Sequence, residues 1–303
     1  MTLDELVKER LNRIQSVPAQ LVTHVDRANE KIFNDILQEL NQLETANGKV
    51  ILSHKNLQIS EQITNNLKKV VFDSEYLKAI QSFANQFDKQ AQLTDNYSEK
   101  VFPQFKAEDI YKTVLNQSKS QAIDLLNQDA VYQNFIAPIK NIINSSITAN
   151  GTFTDVIKTL KDYTLGTNES DPTLTRYVKQ VSYDSFAFAD RSYSKIVSET
   201  LGVVWYKYSG GELPDSRPFC IEYHNKFFHK NEIENFGAGI DLDGKDLTQE
   251  MLKGRFPDTN SSTIFTFAGG YNCKHVYLPV SEISVPKSVI DRNIANGNIK
   301  TGK

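Results

Sequence analysis

The feature that most constrains this chain is a change of periodicity near residue 200. Before it, apolar residues recur at helical spacing. After it, they alternate, and most of the glycines are found there. A 3.6-residue period demands helices with one buried stripe, and a period of two demands a sheet. The chain is therefore predicted to be α+β, with a helical domain over 1–200 and a small α+β domain over 201–303. Residues 151–200 supply the helices that lead into the second domain.

Thr2 and Glu5 form a capping box ahead of Leu3, Leu6, Val7, Leu11 and Ile14. Pro18 should interrupt this helix. A second run carries Leu21, Val25, Ile32, Phe33, Ile36, Leu37, Leu40 and Leu43, with Asn47-Gly48 as its stop. Further helices are predicted over about 60–72, 74–93, 107–127 and 129–148. The polar, aromatic segment 95–106, with Pro103, reads as a loop or hinge. Asn150-Gly151 signals a turn, and a short helix follows through Val156, Ile157 and Leu160. Asp171-Pro172 opens a long helix whose stripe is Leu174, Val178, Val181, Phe188 and Ile196. Strands are predicted over 202–208, 263–267 and 276–280, joined by short turns and a small sheet.

Three segments carry a resemblance. The first is Trp205-Tyr206-Lys207-Tyr208. The second runs Asp215-Ser216-Arg217-Pro218-Phe219-Cys220, then Asn225-Lys226-Phe227-Phe228 and Glu232-Ile233. The third is Gly269-Gly270-Tyr271-Asn272-Cys273-Lys274-His275, leading into Leu278-Pro279-Val280-Ser281. In this order, over roughly 150–283, they resemble the C-terminal domain of the phage Mu protein F-like family. Asp215, Arg217, Gly270 and Asn272 are the motif positions beside the cysteines. Lys274 stands where the family usually has Arg, keeping the charge but losing the planar fork. The resemblance implies a minor head protein of a tailed phage. Such a protein is a component of the virion at the portal vertex or capsid interior, acting in head morphogenesis, DNA packaging or delivery. The expected partners are portal and capsid proteins, with self-association through the helices. The first 150 residues match no family.

The residues themselves point to one candidate centre. Cys220 and His224 are paired at Cys-x-x-x-His spacing, and Cys273 and His275 at Cys-x-His. Zinc takes four such ligands in a tetrahedron. The alternatives are a Cys220–Cys273 disulfide in the mature particle, or two buried thiols packed as small apolar groups. The zinc and disulfide readings both need the segments to be adjacent, with a wall of Phe219, Phe227, Phe265, Phe267 and Tyr271. Asp215 is expected to pair with Arg217, or Arg217 to reach a backbone carbonyl.

Other motifs are weaker. His224-Asn225 and His229 invite comparison with His-Asn-His nucleases, but the spacing is too tight and the flanking metal ligands are missing. The alternative function is a metal-dependent, DNA-cleaving enzyme built on the Cys/His cluster, and no enzyme is the expectation. Asp241 to Asp246 lacks the full alternation of a calcium loop and reads as a surface turn. Gly210-Gly211 and Gly269-Gly270 are not phosphate loops; they are expected to be turns with positive φ.

Net charge is -3, which argues against DNA binding through overall charge. Weak, salt-sensitive, sequence-independent binding through a tail containing Lys287, Arg292, Lys300 and Lys303 is the most expected. No run nears the ~20 apolar residues of a membrane span. The start of the chain reads as a helix rather than a signal peptide, so assembly in a cytoplasm is expected.

Overall fold

The computed structural model describes residues 1–211 and 216–299. In chain order, α1 (Leu3–Leu40) is followed by the strands β1 (Thr45–Ala46) and β2 (Lys49–Val50). Next come α2 (His54–Val71), α3 (Ser74–Val101), α4 (Asp109–Leu126) and α5 (Gln128–Val131). A π-helical turn joins α5 to α6 (Ala137–Thr148), and α7 (Phe153–Leu165) and α8 (Thr173–Thr200) complete the helical part. The remainder is β3 (Trp205–Ser209), α9 (Pro218–Tyr223), β4 (Phe227–His229), α10 (Lys230–Gly237), α11 (Gln249–Leu252), α12 (Ile264–Phe267), β5 (Val276–Pro279) and α13 (Lys287–Ala295). The chain is α+β. Among the described residues, no helix is long and apolar enough to cross a membrane.

Two compact units form, and they do not follow a division at residue 200. One comprises 1–16, 86–120 and 183–303; the other comprises 17–85 and 121–182. The composition change at 200 marks where strands begin. The compact unit is decided instead by long-range packing, which recruits early helices to the C-terminal sheet. Tyr97 of α3, for example, donates its hydroxyl to the Pro279 carbonyl of β5 at 2.7 Å.

In the first unit the sheet order is β4-β3-β5, all antiparallel. Trp205 pairs with His229 and Tyr208 with Tyr277. An aromatic core gathers around this sheet, including Tyr206, Tyr208, Phe219, Tyr223, Phe228, Phe236 and Tyr277. Beside it Arg10, Asp190 and Gln90 form a buried polar knot. Arg10 holds the Asp190 carboxylate in a fork at 2.7 and 2.9 Å, and Gln90 donates to the same carboxylate at 2.9 Å.

The second unit is built differently. Its buried side chains are mainly aliphatic, among them Ile32, Ile36, Leu40, Ile63, Ile139, Ile143, Ile147, Leu160 and Val178. Asn56 closes the first turn of α2 by donating to the Glu44 and Ile51 carbonyls at 2.9 and 2.8 Å.

Several local expectations change. Pro18 lies inside α1, which runs unbroken to Leu40. A proline in a helix interior costs about 3 kcal/mol, but Val17, Leu21 and Val25 are buried around it, and each such burial returns about 1.5–3 kcal/mol. Asn47-Gly48 does not stop α1. With φ of 53° and 74° it makes the two-residue turn between β1 and β2, where both central residues need positive φ. Residues 95–101 belong to α3, since Tyr97 and Val101 continue its buried face. The segment 263–267 forms the helical turn α12 rather than a strand. The Asn260 side chain accepts from the backbone of Ser262 and Thr263 there and turns the chain. Along α8, Leu174 and Val178 are buried as expected, but Phe186, Tyr193 and Val197 carry the rest of the stripe; Val181, Phe188 and Ile196 are half-buried.

Candidate metal centre

Two limbs of the first unit build the centre. The first is α9. Arg217 is its extended N-cap, and Pro218, with its fixed φ, opens the helix. This turn carries Phe219 and Cys220 inward, and both are buried. His224 caps the other end, donating its backbone N–H to the Cys220 carbonyl at 3.0 Å. Asn225 then takes φ of 59° and donates to the Tyr208 carbonyl at 2.7 Å. That bond docks α9 on β3.

The second limb runs from the end of α12 into β5. Asn272 has φ of 54° and Gly270 has φ of 103°. A Cβ on Gly270 would come within 2.0 Å of the Gly254 carbonyl oxygen, so only glycine fits. Gly269 needs no positive φ; its constraint is proximity. A Cβ there would stand 2.5 Å from Cys220 Sγ and 3.0 Å from Cys273 Sγ. Gly210 is likewise a close-approach glycine, with a Cβ 2.6 Å from the His275 Cα. The expectation of positive φ holds for Gly270 and fails for Gly210, Gly211 and Gly269.

The two limbs meet at the sulfurs. Cys220 Sγ and Cys273 Sγ are 3.8 Å apart and both thiols are free. A disulfide needs about 2.05 Å, so the bridge is not formed. The Tyr208 hydroxyl lies 3.4 and 3.6 Å from the two sulfurs. His275 is buried, stacks on the Tyr208 ring at 4.8 Å and donates its backbone N–H to Cys273 Sγ at 3.4 Å. His275 Nε2 is 3.0 Å from His224 Nδ1. Ligand atoms of Cys220, Cys273 and His275 all lie within 4.8 Å of one another, so this buried trio could hold a metal ion.

The thiols share their protons unequally. The Cys220 thiol donates to Cys273, and His275 and Arg191 add donor and positive charge; together they outweigh burial and hold Cys273 well below the ordinary thiol value. Cys220 is pushed up by that hydrogen bond and by burial. A sulfur ready to ionise in a dry site is what a soft divalent cation requires.

Two residues of α8 hold the second limb in place, and the sequence patterning misses both. Arg191 is buried and donates to the His275 carbonyl at 2.9 Å, to Thr266 at 3.2 Å and to Cys273. Asp184 accepts the Asn272 N–H at 2.7 Å. They stand seven residues apart, hence on one helix face. The available signal was a charged residue, Arg191, beside Asp190 in the middle of an apolar stripe.

The other candidates resolve into structure. Arg217 reaches the Tyr271 carbonyl, linking the limbs; Asp215, its expected partner, lies outside the described residues. Of the aromatic wall, Phe219 and Phe265 are buried, while Phe227, Phe267 and Tyr271 are half-buried. His229 caps α10, accepting from Asn231 while Glu232 accepts its backbone N–H. Asp241 closes a surface turn by accepting from Asp243 and Lys245 at 2.9 and 2.8 Å. Arg292 pairs with the buried Glu232 at 2.8 Å, so its charge is taken from the basic tail; Lys300 and Lys303 lie outside the described residues.

No family model, curated protein or solved structure matches the chain.

Proposed function

We propose that the chain is a minor head protein of a tailed phage. On this reading it is a structural and interaction protein of the virion, at the portal vertex or capsid interior, serving head morphogenesis, DNA packaging or delivery. The carrying observation is the meeting of the two signature segments. Arg217, Cys220, Gly270, Asn272, Cys273 and His275 are separated by some fifty residues of sequence, yet all serve one joint. An ordered motif whose members are spent on holding a fold supports the family resemblance and a structural role. Burial of the cysteines and His275 supports it over the nuclease alternative, because DNA needs an accessible metal.

Zinc is the proposed occupant of the joint. Two sulfurs bound at about 2.3 Å to a tetrahedral zinc stand about 3.8 Å apart, which is the spacing of Cys220 and Cys273. The ion would clamp α9 to the turn before β5. Portal and capsid proteins are the proposed partners, with self-association through the helices. DNA binding is proposed to be weak and salt-sensitive.

The test is assembly. Purified chain mixed with the portal encoded beside it should co-migrate in size exclusion, and procapsids should contain it. Absence from procapsids and no association in solution would end this reading. Incubation with double-stranded DNA and Mg²⁺, Mn²⁺ or Zn²⁺ should leave the DNA intact; cleavage lost in His224→Ala would favour the enzyme.

A further inference from the structure

Three ligands do not close a structural zinc site. Zinc in such sites takes four, and with three protein ligands the fourth position stays open to water. The buried trio of Cys220, Cys273 and His275 therefore raises the question of what stands fourth. The Tyr208 hydroxyl touches both sulfurs, but zinc sites in proteins are built from thiolate, imidazole and carboxylate, not phenol.

We propose that His224 is the fourth ligand, completing a Cys2His2 centre; this rests on the zinc reading above. Two ring nitrogens on one tetrahedral zinc stand about 3.3 Å apart, and His224 Nδ1 already lies 3.0 Å from His275 Nε2. The backbone supports the placement. His224 follows Cys220 by one helical turn, at the end of α9, where its own N–H is bonded to the Cys220 carbonyl. Residues four apart on a helix share a face, so the thiol and the imidazole turn the same way. His224 Nε2 is 2.6 Å from the Asn225 side-chain amide, an outer partner of the kind that orients a ligating ring. His224 is half-buried, whereas the other three are buried. It is thus the member through which an ion enters: the trio takes the cation and His224 closes over it, exchanging its hydrogen bond to His275 for the metal.

The full chain, stripped with a chelator, is titrated with Zn²⁺ against a chromophoric competitor and with Co²⁺ for absorption. Wild type should bind one equivalent and give the intense visible bands of tetrahedral cobalt with sulfur charge transfer. Removing an outer-shell partner costs about 10–100-fold in affinity. His224→Ala should exceed that loss and shift the cobalt bands toward higher coordination, with helical circular dichroism unchanged. A loss within 100-fold and an unaltered cobalt spectrum would overturn the assignment of His224 and leave a three-ligand site. If wild type takes up no metal, or if Cys220→Ser keeps the full sulfur charge transfer, the zinc reading itself fails.

Discussion

The two units solve the same problem with different chemistry. The second buries aliphatic side chains from regularly spaced helical positions, such as Ile139, Ile143 and Ile147 of α6. The first buries aromatics, two thiols and charged groups. Arg10, Asp190 and Arg191 are each almost wholly buried there. An aliphatic core tolerates changes that preserve volume. A buried ion pair contributes little net stability, but removing one partner leaves an uncompensated charge. The first unit should therefore be the more specific and the more brittle. Its thiols, Arg191, Arg217 and the close-approach glycines Gly210, Gly269 and Gly270 meet at one joint.

The largest expected effect tests that brittleness. Asp190→Ala leaves the Arg10 guanidinium buried without its carboxylate and should cost about 3–5 kcal/mol. Trp205, the only tryptophan, is buried in the first unit, so its fluorescence during urea unfolding reports that unit. A loss below 1 kcal/mol would break the contrast. The matching change in the second unit is Ile143→Ala, expected to cost about 2–5 kcal/mol, with Ile143→Val near 1 kcal/mol. Its effect should be read in circular dichroism. If Trp205 fluorescence shifts by the same amount, the two units unfold as one and the comparison is of two cores in a single cooperative body.

Glycine offers a finer contrast. At Gly269 a methyl group would press on both sulfurs, and Gly269→Ala should cost about 1–3 kcal/mol through overpacking while weakening metal uptake. At Gly48 nothing lies within 4 Å, and φ of +74° is the only constraint. Gly48→Ala should cost about 1–2 kcal/mol, from the left-handed backbone alone, with metal uptake untouched. Equal metal uptake in the two variants would argue against a built site at the thiols.

Legibility in the sequence follows the same division. In the second unit, repeated apolar spacing locates α2, α6 and α7 because each helix buries one stripe. Asn47-Gly48 was legible as a helix stop but not as a hairpin turn, since two-residue strands carry no period of their own. In the first unit, rarity made the centre legible: two cysteines stand in the whole chain, each beside a histidine. What could not be read is what depends on contacts between distant segments. Arg191 serves carbonyls some eighty residues away, and nothing in its neighbours along α8 announces them. The run 263–267 is too short for periodicity to separate a strand from a helical turn; the turn that Asn260 makes by accepting from Ser262 and Thr263 decides it. The division at residue 200 marked a change of local structure, whereas compactness is set by contacts such as Arg10 with Asp190.

The smallest effect is also the most specific to the first unit. His229 accepts the Asn231 N–H through Nδ1, which requires that nitrogen to be unprotonated. Burial lowers its pKa below the ordinary histidine value, and the nearby carboxylates of Glu232 and Glu234 offset only part of that. The sign follows from linkage. Below about pH 6.5 the unfolded chain takes up a proton that the folded chain resists, so stability falls as pH falls and is fully present above that value. His229→Ala should cost about 1 kcal/mol at neutral pH, the scale of a lost helix cap. His229→Asn keeps a side-chain acceptor without a titrating group, so it should retain most of the cap and reduce the decline between pH 7.5 and 5.5. Because the His229 ring meets Trp205 edge-on at 5.0 Å, urea midpoints followed by Trp205 fluorescence at the two pH values measure this directly. An equal decline in wild type and His229→Asn would assign the acid sensitivity to other groups and remove His229 from the account.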